Sequence, residues 1–345
     1  MLVDIKDLKN DEKGKLHEIL LAKELSNNNE FPLHFREINS PLDVHNYIFL
    51  KIKPEEYYNI TIHTNNTKNV LIDYLQKTEY IENINDIDNI YWSSNPSDHE
   101  KITNVKDKNS VADIIISTKA SGYICVSAKY GTFSSLNYKN DGLPALAEKA
   151  RLSPNVYNDI DVNHRNNIET IGYSGLVKDR HAKYKIDKIL LEKEKKEWIN
   201  NNKNLDFFSP ETEEARRAWQ AEHASHKMKS LISEKHDESL IKFTEDDVKE
   251  YIINQVSPPT IFPHIVAHSF VDTKKNTYSY VYDAKYIAKD HLDKYYNIHV
   301  KKTPGIYTNF YGTDKETNTE KIIAKQGIKS QSGPCKNILG FFNLI

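Results

Sequence analysis

VADIIISTKASGYICVSAK, residues 111–129, is the stretch on which the fold turns. It reads as two strands, 112–118 and 123–129, joined by a turn that carries Ser121 and Gly122. The β-branched run Ile114-Ile115-Ile116 suits a pleated surface, and the Ser-Gly pair suits the reversal. Side chains alternate across a strand, so Asp113, Ile115 and Ser117 share one face. Cys125, Ser127 and Lys129 share one face of the next strand. A lysine facing inward from an otherwise apolar strand needs a partner, and Asp113 is the residue placed to provide it.

Working outward, residues 13–25 (KGKLHEILLAKEL) carry an apolar stripe of Leu16, Ile19, Leu20 and Leu25 and predict a helix. Glu18 borders that stripe. Residues 65–77 predict a second helix, and 87–93 a strand next to the central pair. Asn95-Pro96 marks a turn, Ser97 is placed to cap a short helix, and Asp98 and His99, although within reach of the site, read as a solvated loop. After the hairpin comes a polar loop, 131–142, with Ser134, Ser135, Tyr138 and Lys139 as candidate phosphate contacts. A helix with Glu148 follows at 143–151.

The region 155–257 is charged and helical in pattern, and Ser209-Pro210 in it reads as a helix start. His223 and His226 lie together on that helix beside Glu222, but no third zinc ligand is evident. From residue 258 the pattern changes to short Tyr-, Ile- and Val-rich runs between turn residues, which predict strands. Tyr278, Tyr280 and Tyr282 fall on one face of such a strand, where they can stack bases or pack across to a neighbour. The expected organisation is an α/β core over 1–154, a helical region over 155–257 and a strand-rich region over 258–345.

The Asp–hairpin–Ala–Lys arrangement resembles the core of the PD-(D/E)xK nucleases, the restriction-endonuclease-like superfamily. The region 127–150 is also similar to putative nucleases of tailed bacteriophages. Asp113 and Lys129 match the family's Asp and Lys. Ser127 stands where Glu or Asp is usual, and Ala112 stands in place of the Pro. Some restriction enzymes with this S-x-K pattern supply the missing carboxylate from a following helix, and Glu148 matches that position. A glutamate on the first helix often reaches the metal in this family, and Glu18, four residues after Gly14, matches it.

The resemblance implies a mixed sheet flanked by helices, Mg²⁺ (or Mn²⁺) as cofactor and DNA as partner. It implies metal ligation by Asp113, Glu148 and Glu18, a water-orienting Lys129 and a supporting Ser127. The activity implied is hydrolysis of phosphodiester bonds. Ser127 equally suits a catalytically inactive DNA-binding or assembly protein of the same fold. The tyrosine-rich strands suit a structural protein that binds carbohydrate or protein.

Composition sets wide bounds. The chain has 345 residues, a net charge of −2, 28% charged residues and a mean hydropathy of −0.67. No global basic excess calls for nucleic acid, although a local patch suffices for binding it. Cys125 and Cys335 are far apart in sequence and outline no disulfide framework. Residues 1–15 lack the apolar core of a signal peptide, and no run has the length of a membrane span. A cytoplasmic protein with no membrane partner is expected.

Overall fold

The computed structural model describes residues 10–26, 30–34, 40–93, 96–107, 112–120, 122–131, 140–202, 207–257, 260–271, 277–330, 333–334 and 338–345. The architecture is mixed α/β, and the chain forms two compact units. Residues 1–136 and 256–291 make the first, and residues 137–255 and 292–345 the second. This differs from the three consecutive regions expected from sequence. Pattern reading divides a chain consecutively, whereas strand pairing in each unit joins segments more than 100 residues apart.

The first unit is built on a five-stranded sheet: β1 (Ile87–Trp92), β2 (Ile114–Thr118), β3 (Gly122–Gly131), β5 (His264–Val271) and β6 (Thr277–Asp283), in that order. β1, β2 and β3 run antiparallel, as the sequence predicted, with Trp92 opposite Ile114 and Ile114 opposite Val126. β5 is parallel to β3 and antiparallel to β6.

One sheet face presents Ile114, Ile116, Ile124, Val126, Ala128, Ile265 and Ala267. Leu21, Ala22 and Leu25 of α1 (Asn10–Leu25) and Leu71 and Leu75 of α3 (Pro54–Lys77) cover that face. Each large aliphatic side chain fully buried there contributes about 1.5–3 kcal/mol. Of the stripe predicted for 13–25, Leu25 belongs to this cluster, beside Leu21 and Ala22, which the prediction left out. Leu16 and Leu20 of the stripe pack with Ile48 of α2 (Pro41–Phe49), with Ile52 and with Ile60. At the far end of the sheet's other face, Ile115 and Cys125 meet Ile102 of α4 (Pro96–Thr103). Asp98 and His99 lie on α4 and are buried, which corrects the solvated loop expected for them. His99 places Nε2 3.6 Å from the Cys125 sulfur, a contact that no local pattern predicts. Residues 284–292 form α10 within the region expected to be strands.

The second unit holds the other sheet, in the order β4 (Asn140–Gly142), β10 (Ile338–Leu344), β9 (Glu320–Ser330), β8 (Tyr307–Asp314) and β7 (Tyr295–Lys301). All its pairings are antiparallel. Its helices are α5 (Leu143–Lys149), α6 (Asn158–Thr170), α7 (Val177–Asn202), α8 (Glu213–Leu240) and α9 (Glu245–Val256). Met228 and Ile232 of α8 pack with Leu146 and Tyr157 and with Ile328 and Ile338 of the sheet. α8 begins at Glu213, not at Pro210, because the Thr212 hydroxyl accepts the Ala215 amide and caps the first turn. Among the described residues, no helix is long and apolar enough to cross a membrane.

Candidate active site

Asp113 lies in a bend one residue before β2. Its backbone is fixed on both sides, since Asp113 N donates to Val126 O (2.9 Å) and Ser93 N donates to Asp113 O (2.9 Å). The carboxylate is thereby held over β3. Its Oδ2 accepts from Ser127 Oγ at 3.1 Å and from Lys129 Nζ at 3.2 Å. Ser127 is buried, while Asp113 and Lys129 keep 22% and 36% of their side chains exposed, so the pair remains open to a ligand. Alternation alone puts Ser127 and Lys129 on one face of β3.

Glu18 approaches from α1. Its Oε2 accepts from Trp92 Nε1 at 3.2 Å. Burial, and then the negative charge of Asp113, push the Glu18 carboxyl up to about 8, against the pull of Trp92, Lys129 and Lys15. Two carboxyl groups thus repel each other, and Lys129 and Lys15 offset the repulsion in part. Glu148 sits on α5, exposed and within the second unit. The polar loop expected to touch phosphates contributes Ser134, Ser135, Tyr138 and Lys139, which lie outside the described residues, as does Cys335.

Sequence reasoning missed the histidines. β5 pairs Lys129 with His268 and Cys125 with His264. Lys129's positive charge and, more strongly, burial lower both imidazoles to about 4. His264 is buried, and neither of its ring nitrogens has a hydrogen-bond partner. His17 of α1 is fully buried, donates to or accepts from Thr64 Oγ1 through Nδ1 at 3.0 Å, and is lowered to about 3 by burial and by His63 and His268. The signal for His264 and His268 was their spacing of four in a strand, HIVAH, which puts both on one face. Nothing in the sequence said that this face continues that of Lys129.

The residues around His223 and His226 on α8 have other partners. Glu222 accepts from Tyr184 Oη and pairs with Lys188 and Lys195, and the His223 ring packs on Trp219. Among the described residues, no three His, Cys, Asp or Glu side chains form a group able to hold a metal ion.

Asp113 and Glu18 bring two carboxylates into electrostatic contact beside Lys129. Mg²⁺-type ions are commonly held by one or two carboxylates, with water and substrate phosphate completing the shell. The raised Glu18 carboxyl marks a place where added positive charge is favoured. Comparisons with protein-family models, with curated proteins and with solved structures found no match.

Proposed function

We propose that the chain is a divalent-metal-dependent nuclease that hydrolyses phosphodiester bonds in DNA, built on a restriction-endonuclease-like core. The observation that carries the reading is the convergence of Asp113, Lys129 and Glu18, from a bend, a strand and a helix, on one partly open spot. A salt bridge alone asks for one carboxylate and one ammonium. A second carboxylate, held close enough for Asp113 to raise it, is redundant for a structural pair and useful for a site that receives a cation. The mixed sheet and the helix that delivers Glu18 also agree with the family resemblance.

In this reading Asp113 and Glu18 would hold Mg²⁺ or Mn²⁺ as carboxylates. The bound ion supplies charge neutralisation on the phosphate and an acidified water. Lys129 keeps one N–H on Asp113 and has two further donors to fix the attacking water and a phosphate oxygen. Ser127 donates to Asp113 and holds its carboxylate in one orientation, a positioning role without charge. The assignment rests on Asp113 and Glu18, which a single unit carries; Glu148 remains an expectation of the family resemblance.

The second reading is a DNA-binding protein of the same fold without catalysis. A buried serine at the usual carboxylate position favours it. Nicking of supercoiled plasmid in Mg²⁺ or Mn²⁺, with EDTA and Lys129→Ala as controls, separates the two. Nicking that requires both metal and Lys129 supports the nuclease. Metal-independent binding with no nicking by the wild type overturns it in favour of the second reading.

A further inference from the structure

The tyrosines of β6 lie on the sheet face that carries the Asp113–Lys129 pair. Register pairing runs Lys129 to His268 to Tyr280 across three strands, and Gly131 to Phe270 to Tyr278 in the next row. Strands are spaced about 4.8 Å apart. Tyr280 therefore stands about 10 Å from Lys129 at the backbone, close to three rises of about 3.4 Å along a nucleic-acid strand.

The rings form a flat row. The Phe270 centroid is 5.3 Å from that of Tyr278 and 5.5 Å from that of Tyr280, with interplanar angles of 23° and 15°. Phe270 is buried, but Tyr278 and Tyr280 remain 39% and 49% exposed. The opposite face of the same two strands is covered, because Ser269 and Ser279 bond to His63 and Thr67 of α3. Cross-strand packing accounts for Phe270 against Tyr278, which are directly paired. Tyr280 packs diagonally on Phe270 as well, yet its ring leaves half its surface in water.

We propose that Tyr278 and Tyr280, backed by Phe270, form a stacking shelf for unpaired nucleobases, and that the substrate of the Asp113–Lys129 site is single-stranded DNA or a frayed DNA end. The proposal rests on the nuclease reading for the chemistry but not for the binding. Every base has a π-face able to stack on an aromatic ring. In a duplex those faces are already occupied by neighbouring base pairs, so the shelf selects unpaired nucleotides. A strand stacked there brings its backbone toward Lys129, which supplies positive charge beside the shelf. Recognition of this kind is tolerant of sequence.

The test is fluorescence anisotropy with a labelled single strand of about 12 nucleotides, within the usual footprint of such sites, and with its blunt duplex. Both are titrated in EDTA so that cleavage is excluded. The proposal expects tighter binding of the single strand. It expects Tyr278→Ala with Tyr280→Ala to weaken that binding roughly tenfold or more, with melting unchanged. Replacing both tyrosines by Phe should restore it, since the rings remain. Equal or tighter duplex binding, alanine variants that bind as the wild type does, or no binding to either DNA would each overturn the shelf. Adding Mg²⁺ then separates the two ideas. Cleavage of duplex that ignores the tyrosines removes the shelf and leaves the nuclease. Tyrosine-dependent single-strand binding without cleavage by the wild type retains the shelf and removes the nuclease.

Discussion

Two buried histidines, one in each unit, are satisfied to different degrees. In the second unit, Tyr157 Oη donates to His236 Nδ1 (3.0 Å), His236 Nε2 donates to Tyr251 Oη (2.8 Å), and Tyr251 Oη donates to Gln326 Oε1 (3.3 Å). Gln326 Nε2 closes the chain on Phe341 O (2.8 Å). Each imidazole nitrogen has a partner, the ring is neutral with its proton assigned to Nε2 by these bonds, and burial lowers it to about 3. In the first unit, His264 is buried with both nitrogens unpartnered, and Glu18 is held beside another carboxyl group. A completed network rigidifies a core, whereas an incomplete one is costly unless a ligand completes it.

The strongest way to break this contrast is Lys129→Ala. Cleavage should fall by about a hundred- to a thousandfold, the scale of losing one preorganised charged donor. The melting temperature should barely move, because the pair it removes is partly exposed. Plasmid nicking and a thermal melt on the same preparation check it. Asp113→Asn should lose activity likewise and weaken Mn²⁺ binding by calorimetry.

His236→Ala should show the reverse split. Removing a ring bonded on both sides leaves Tyr157 and Tyr251 without their partner and opens a cavity. A loss of about 2–4 kcal/mol in urea unfolding is expected, with cleavage per folded molecule retained. Near-wild-type stability would mean that the Tyr–His–Tyr chain is not structural.

Glu18→Gln tests the first unit more finely. The carboxyl is pushed up to about 8 from its ordinary 4.5. Between those values the folded protein holds a proton that the unfolded chain has released, so stability falls as pH rises through the window. Gln cannot titrate, so the variant should gain on the wild type progressively, by about 1–2 kcal/mol at pH 8 after allowance for the partly exposed site. Near pH 4 the two should agree. Mg²⁺ should narrow the gap by stabilising the wild type alone. A wild-type profile parallel to the variant's from pH 5 to 8 would remove Glu18 from the site.

The smallest effect is expected at Ser127→Ala. One hydroxyl bond to Asp113 is lost while two others on that residue's surroundings remain, so stability should drop by about 1 kcal/mol. Cleavage should fall less than tenfold. A loss as large as that of Lys129→Ala would make Ser127 more than a positioning group.

Sequence alone determined the central antiparallel strands, the Asp113–Lys129 pair and the helix α1. Alternation and helical periodicity are local, and a turn of two or three residues leaves the chain little choice of neighbour. It also marked His264-to-Val271 and the β6 tyrosines as strand, since β-branched and aromatic residues announce themselves in short runs. Only the tertiary structure decided that β5 inserts in parallel beside β3, more than 130 residues later, and carries His264 and His268 to Lys129. Only it placed Trp92 on Glu18, buried Asp98 and His99, assigned Glu148 to the second unit and paired β4 with β10. Such pairings depend on which apolar faces exclude water together, and that is a property of the assembled surfaces rather than of any window of residues.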